Sequence, residues 1–201
     1  MYNKPDFVLD AKQSFELIAD HPLAQLVVAT PTGLKATPAP LVRRGDSLVG
    51  HVARPNDIWQ HPGDALAIFT GIDAYISPNW YPSKAQHGRV VPTWNYTTVH
   101  VRATLRIHDD DEWKLALVTF LTDTFEASQP RPWKVTDAPK DYTAALMQRI
   151  VGIELTNLAV EGKGKLSQNQ GQSDLEGVRA ALAGGDARQQ GVARQMRRRG
   201  S

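Results

Sequence analysis

A chain of 201 residues with 41% hydrophobic and 22% charged residues has the composition of an ordinary globular protein, long enough to bury a core of its own. It contains no cysteine, which excludes disulfides, thiolate metal sites and a cysteine nucleophile. Residues 186–201 carry five arginines and one aspartate, so the net charge of +2 comes from this end, and the rest of the chain lacks the basic character of a nucleic-acid-binding core.

The N-terminal segment MYNKPDFVLD lacks the regions of a signal peptide, and no run approaches the roughly 18 apolar residues that a membrane-spanning helix needs. Together with the lack of cysteine, this pattern favours a cytoplasmic protein without a membrane partner. The length predicts one domain over residues 1–185, followed by a basic, disordered tail over 186–201.

The first half of the chain predicts mainly β-structure. After an extended arm (1–12) and a short helix (14–20), strands are predicted at 26–30, 34–43, 47–53, 65–70, 74–77 and 97–108. Gly71 indicates a turn at 71–73, between the fourth and fifth of these strands. Prolines in the second strand favour an edge position, and the first three strands would form an antiparallel meander. Residues 54–62 would form a helical turn that is anchored by Trp59.

The second half combines helices with one late strand. We expect a helix at 112–126 capped by the aspartates before it, helices at 141–150 and 174–182, and a strand at 151–160. Two glycines predict a flexible turn at 161–164, and a polar loop follows at 166–172. The predicted fold class is mainly β with peripheral helices, an antiparallel barrel with the helices outside it.

The stretch from Tyr75 to Tyr96, YISPNWYPSKAQHGRVVPTWNY, is the most distinctive part of the sequence. Five aromatic rings stand among hydroxyl, amide and cationic side chains, and three prolines oppose a helix or central strand running through it. A stiff loop with flat rings and cations suits a planar, phosphorylated ligand. The alternative is an aromatic loop that closes one end of a barrel.

A phosphate site would need cations, hydroxyls and backbone N–H groups that converge where strands end. The candidates are Arg54 after the third strand, Ser77 with Lys84 in the aromatic stretch, and Lys165, Ser167 and Gln168 at the polar loop 166–172 and the residue before it, which we call the late loop. For each of them alone, a solvated surface group is the alternative interpretation.

His51 lies inside the predicted strand 47–53, where it could be a structural histidine, a ligand contact or an acid–base group. The histidines show no HxH or HExxH spacing, so no metal site is predicted. The sequence contains no nucleotide-binding loop, nucleophile elbow or helix-turn-helix pattern. No catalytic residue can therefore be assigned.

Several motifs, in order along the chain, resemble one known family. They are GHVARPN (50–56), AYISPNWY with Lys84 (74–84), VPTWNYTTVH (91–100), IVGIEL (150–155) and KLSQN (165–169). These segments resemble the PaiB family, whose members are described as FMN-binding negative transcriptional regulators. The resemblance extends over nearly all of residues 1–183.

The resemblance implies an antiparallel, Greek-key-like FMN-binding split barrel that forms a homodimer, with flavin sites at the subunit interface. Carried onto this sequence, it implies a set of cofactor contacts: Arg54, Ser77 and Lys84 near the phosphate, Trp94 and Asn95 towards the ring system, and Lys165, Ser167 and Gln168 from the late loop. His51 is a further candidate contact.

Two positions depart from the family pattern. The family often has a histidine in a T-H-x-P segment where this chain has Pro38, which removes an imidazole that could touch a ligand. It also often has N-P-Q-W where this chain reads N-D-I-W at residues 56–59. The first departure leaves open whether this member holds FMN.

Three functions follow as hypotheses. The first is a dimeric FMN-binding regulator of transcription, with DNA as a partner although no DNA-reading motif is recognised. The second is a flavin-dependent oxidoreductase of the same fold, in which the flavin carries the chemistry. The third is a cofactor-free or haem-handling binding protein.

Overall fold

The computed structural model describes residues 1–198. The strands are β1 (Val8–Leu9), β2 (Leu23–Thr30), β3 (Gly33–Pro40), β4 (Val42–Arg44), β5 (Ser47–Ala53), β6 (Gly63–Ile76), β7 (Thr93–His108) and β8 (Ile150–Lys165). The α-helices are α1 (Ala11–Asp20), α2 (Ser83–His87), α3 (Asp111–Glu126), α4 (Lys140–Met147), α5 (Gln172–Ala183) and α6 (Ala187–Arg198). Short 3₁₀ turns lie at Pro5–Phe7, Asp57–Gln60, Pro78–Trp80 and Val135–Asp137.

The strands form one sheet in the order β3-β2-β6-β7-β8-β5-β4, and β1 pairs with β8. The pairs β2–β3, β2–β6, β4–β5 and β5–β8 are antiparallel. The mainly β architecture predicted from the sequence is therefore present. None of the helices in the described part of the chain is long and apolar enough to cross a membrane.

The predicted meander of the first three strands is wrong. β5 pairs with β4 and β8, Gly50 lying opposite Ile153, whereas β3 pairs with β2 at one end of the sheet order. Pro40 ends β3, and the next backbone N–H, on the fully buried Leu41, donates to Pro22 O at 2.9 Å. The predicted strand 34–43 is thus two strands, and β3 takes the edge position expected from its prolines.

Two predicted turns are continuous strand. β6 runs through Gly71, where an added Cβ would lie 2.2 Å from Thr97 Oγ1. β8 runs through Gly162, where an added Cβ would lie 2.2 Å from Ser14 Oγ. Both glycines therefore permit a close approach of neighbouring side chains and do not turn the chain. Trp59 is not the anchor of its turn either, because Ile58 is the fully buried residue there.

The chain divides into two compact units. The first unit comprises 1–20, 70–99 and the chain from residue 161 onward, and the second comprises 21–69 and 100–160. The first unit has an apolar core of nine buried residues: Ala74, Ile76, Tyr81, Leu166, Val178, Leu182, Val192, Ala193 and Met196. In the second unit, α3 packs Leu117 and Leu121 onto Val49 of β5.

The basic segment after residue 186 is helical where the sequence predicted disorder. Val192, Ala193 and Met196 of α6 are buried in the core of the first unit, since they share one face of the helix. Arg188 pairs with Asp73, which fixes the start of the helix. This prediction was wrong for residues 187–198, and its last three residues, 199–201, lie outside the described part.

Candidate functional site

A cavity of about 220 Å³ in the first unit gathers residues from the aromatic stretch and from the late loop. We call it the Lys165 cavity. Its polar lining is Tyr81, Arg89, Thr93, Asn95, Lys165, Ser167, Asn169 and Gln170. Three of the predicted site residues, Asn95, Lys165 and Ser167, therefore lie together at one site.

Lys165 is the last residue of β8 and reaches the first residues of β7. Its Nζ donates to Thr93 Oγ1 and, at 2.8 Å, to Trp94 O. An ammonium carries three N–H donors, so one remains for a ligand. Burial, together with the nearby charge of Lys163, lowers the pKa of Lys165. A bound anion would offset both effects because it favours the charged amine.

Asn95 and Ser167 form a buried polar pair beneath the cavity. Asn95 Nδ2 donates to Ser167 Oγ at 2.9 Å, and the Ser167 hydroxyl lies 3.1 Å from Asn95 Oδ1. Ser167 has a φ of 65°, a left-handed conformation that is uncommon for a residue other than glycine. Such conformations persist where neighbours enforce them, and they concentrate at ligand sites.

Tyr81 closes another wall of the cavity. Burial first, and the charge of Asp174 second, raise the pKa of its phenol, so the hydroxyl is a neutral hydrogen-bond donor near pH 7. Asp174, in the first turn of α5, accepts from Ser83 N at 3.0 Å and from Ser83 Oγ at 2.7 Å. These bonds hold α2 against α5 and thereby fix the segment that carries Tyr81.

Arg89 supplies a second cation. Gly88 ends α2 with a φ of 65°, a left-handed C-cap that glycine adopts without strain, and the chain then turns towards the cavity. The Arg89 side chain is exposed at the cavity mouth. Two cations with the Thr93 hydroxyl make a donor set suited to a phosphate.

Four predicted residues of the first unit lie outside the cavity lining. Ser77 caps the turn Pro78–Trp80 by accepting from Asn79 N at 3.2 Å, and Lys84 donates to Asn79 Oδ1. Gln168 braces the late loop, because its Oε1 accepts from Leu166 N and its Nε2 donates to Gly164 O. All three side chains thus have structural partners.

Trp94 is the fourth of these residues, and it does not share a face with Asn95. Successive side chains of a strand point to opposite faces, so Asn95 is buried while Trp94 is 52% exposed. The Trp94 ring meets Tyr75 edge to face, with centroids 6.1 Å apart.

Arg54 and His51 belong to the second unit. Arg54 donates to both carboxylate oxygens of Asp109, at 3.0 and 2.5 Å, and to the carbonyls of Gln148 and Ile150. A guanidinium has five donors, so four of them are committed to this bracing contact. His51 lines a separate cavity that is described below.

Sequence reasoning did not select Tyr81, Arg89 and Thr93 as site residues. All three lie in the aromatic stretch, which was identified as a ligand-binding segment, but nothing local separates them from Ser77 or Lys84. Only the tertiary structure distinguishes them: Thr93, for example, accepts a hydrogen bond from Lys165, which lies 72 residues away in the sequence. The described residues contain no group of three or more His, Asp or Glu side chains that could hold a metal ion.

A family model described as "Putative FMN-binding domain" matches residues 1–157. An uncharacterized protein of Emericella nidulans is 32% identical over 145 residues, which is 66% of this chain and 57% of that protein. The protease synthase and sporulation protein PAI 2 of Bacillus subtilis is 29% identical over 134 residues, covering 65% of this chain and 62% of that protein. This chain thus matches a little over half of the length of these relatives.

Among solved structures, the FAD and heme binding protein from Mycobacterium smegmatis resembles this chain with a TM-score of 0.58 at 17% identity. The match covers 88% of this chain and 79% of that one. The fold class predicted from the sequence, a split barrel with peripheral helices, is confirmed.

Proposed function

This chain belongs to the PaiB-like FMN-binding family, whose cofactor is a flavin, and we propose that the Lys165 cavity receives the phosphate end of FMN. The observation that carries the proposal is Lys165 itself, a partly buried amine with a spare donor beside a left-handed serine. The family match ends at residue 157, so Lys165 and Ser167 lie beyond it.

The residues present fit an anionic phosphate. Lys165 and Arg89 would neutralise its charge, and the hydroxyl of Thr93, which accepts from Lys165, would donate to one of its oxygens. Tyr81 would exclude water from one side. A bound flavin supplies redox chemistry, and these residues bind and orient it.

The cavity is smaller than the roughly 300–1,000 Å³ of most ligand pockets, so the ring system would extend beyond it. On the opposite face of β7, Trp94 and Tyr75 form an aromatic pair that is about half exposed. Exposed aromatic patches of this kind favour a protein partner. A homodimer, in which a second copy covers this pair and adds to the flavin site, is part of the proposal.

At the level of biological role, we propose a flavin-responsive regulator of transcription. The supporting observations are the family membership and the Bacillus subtilis relative named for sporulation. Contact with DNA would be made by the arginine-rich α6 and the residues that follow it, through phosphate contacts. The alternative, a flavin-dependent oxidoreductase, differs in that NAD(P)H would be consumed.

The flavin site is tested by titrating FMN and following flavin fluorescence. Loss of one charged hydrogen bond costs about 1.5–3 kcal/mol, so Lys165→Met should weaken binding by about 10- to 150-fold. Lys84→Met removes an exposed lysine of the same unit whose partner is Asn79, and it should bind FMN within about twofold of the wild type. Equal affinity of wild type and Lys165→Met would overturn the assignment.

The regulatory role is tested by gel-shift titration of a DNA fragment with the flavin-loaded and flavin-free protein. A regulator should retard one sequence more strongly than a scrambled one, with a difference between the two flavin states. A steep salt dependence without sequence preference would indicate only tail electrostatics and would contradict the regulatory role. NAD(P)H oxidation in the presence of FMN, without sequence-dependent retardation, would favour the oxidoreductase.

A further inference from the structure

The second unit contains a cavity of about 290 Å³ that the flavin proposal does not use, and we call it the His51 cavity. Val118, Leu121, Thr122 and Phe125 line it from one face of α3, since they are spaced three and four residues apart. Pro40, His51, Glu126 and Trp133 complete the lining. None of these residues lines the Lys165 cavity.

The walls of this cavity are apolar and aromatic. Leu121 is buried, while Phe125 and Trp133 are each almost half exposed at the rim. Glu126 Oε2 accepts from Trp133 N at 3.0 Å, which fixes the segment after α3 beside the cavity. Two half-exposed rings in the lining offer aromatic surface to a flat ligand.

The polar feature of the cavity is His51. Its Nδ1 is buried and has no hydrogen-bond partner in the described structure. A buried polar atom without a partner destabilises the fold, so a ligand that supplies the missing bond gains affinity in addition to that from apolar contact. Burial also lowers the pKa of His51, so the imidazole is neutral near pH 7.

The hydrogen-bonding requirement narrows the ligand class. A neutral imidazole presents Nδ1 either as an acceptor or as an N–H donor, according to its tautomer. A hydroxyl group satisfies both cases, because it donates and accepts. The cavity volume, near the lower end of the range for ligand pockets, suits one or two rings.

We propose that the His51 cavity is a binding site for a small hydroxylated aromatic compound of the phenol class. Its ring would lie between Phe125 and Trp133, and its hydroxyl would bond to His51 Nδ1. The site is independent of the proposed flavin phosphate site, because the two cavities share no residue.

Calorimetric titration with 4-propylphenol and with propylbenzene, which lacks the hydroxyl, tests this assignment on the full chain. The wild type should bind 4-propylphenol at least tenfold more tightly than propylbenzene. His51→Phe should reduce that ratio to about one, whereas the control His61→Phe, on a histidine of the same unit outside the cavity, should retain it.

Trp133→Ala is a second variant in case His51→Phe does not fold. Trp133 is almost half exposed, and its loss should weaken the binding of both compounds at least fivefold. A wild type that does not distinguish the two compounds would overturn the proposal, and so would a His51→Phe variant that still does. Displacement of 4-propylphenol by FMN would likewise overturn it, since the cavity would then belong to the flavin.

Discussion

At the scale of single residues, Arg54 and Lys165 show that a cationic side chain can either stabilise the fold or keep a donor available for a ligand. The Arg54 guanidinium donates to both carboxylate oxygens of Asp109, and the same carboxylate also accepts from the buried Lys114 at 3.2 Å. The Arg54 bond lowers the pKa of Asp109 to about 2. Lys165, in contrast, retains a donor at a cavity wall. The hydrogen-bond partners of both residues are distant in sequence. The motifs therefore could not distinguish the two roles, and they predicted both residues as contacts of one ligand.

Arg54→Ala should lower the melting temperature of the protein and leave FMN affinity within about twofold of the wild type. The expected loss of stability arises because Asp109 and the carbonyls of Gln148 and Ile150 lose their donor. Thermal unfolding and FMN titration measure the two effects. Arg106→Ala, on an exposed arginine of β7, is the matched control and should change neither. A tenfold weaker FMN affinity in Arg54→Ala would contradict this prediction and would mean that Arg54 contributes to flavin binding.

His51 should make stability depend on pH. The unfolded chain protonates this imidazole near pH 6.5, whereas burial lowers the pKa in the folded state. As pH falls through 6.5, the unfolded state therefore binds the proton first, and the free energy of unfolding decreases. Above pH 6.5 this loss is absent.

Urea unfolding at pH 7.5 and pH 5.5 should show a smaller difference for His51→Gln than for the wild type. His21→Gln, at a histidine that does not line the His51 cavity, serves as the control, and it should retain the wild-type difference. The same pH difference in His51→Gln and the wild type would exclude His51 as the responsible group.

At the scale of elements, α6 shows the limit of a composition argument. Its arginines suggested a disordered tail, but Val192, Ala193 and Met196 on one face are buried. Met196 also lies against the candidate site, with its Sδ 3.9 Å from Asn95 Nδ2. The helix is thus part of the packing that supports the Lys165 cavity.

Met196→Ala should destabilise the protein by about 2–5 kcal/mol, the range for removing a buried methionine side chain. Chemical denaturation monitored by tryptophan fluorescence measures this loss. Arg194→Ala changes an exposed residue of the same helix and should stay within about 0.5 kcal/mol of the wild type. An unchanged midpoint for Met196→Ala would mean that α6 contributes little to the fold.

Local patterns predicted the regular elements well. The strand 47–53 has the bounds of β5, and the helix predicted at 112–126 differs from α3 by one residue. Gly71 and Gly162 misled the prediction because a glycine that admits a neighbour's side chain has the same local signature as a glycine that turns the chain. The sequence motifs selected three residues that line the Lys165 cavity, Asn95, Lys165 and Ser167. The contacts that bring them together are tertiary and leave no local signal in the sequence.

At the scale of the whole molecule, the Lys165 cavity and the His51 cavity lie in different compact units and differ in chemistry. One offers cations and hydroxyls, and the other offers aromatic walls and an imidazole. In the proposed homodimer, a flavin site formed by two chains couples flavin binding to the association of those chains.

FMN should therefore tighten the dimer. By linkage, if each flavin site binds FMN more strongly in the dimer than in the monomer, saturating FMN lowers the dimer dissociation constant by that factor for each of the two sites, and we expect at least tenfold in total. Sedimentation velocity over a range of protein concentrations measures this constant with and without FMN. Lys165→Met should need a correspondingly higher FMN concentration to show the effect. A chain that stays monomeric at all concentrations, with FMN bound, would contradict the coupling.

The family match stops at residue 157, eight positions before the amine that we assign to the phosphate. The matched part contains the scaffold and the aromatic stretch, whereas the family-like motif KLSQN (165–169), which begins with this lysine, follows it. A chimera that exchanges only residues 158–172 between two relatives should then swap cofactor preference while the host framework stays intact.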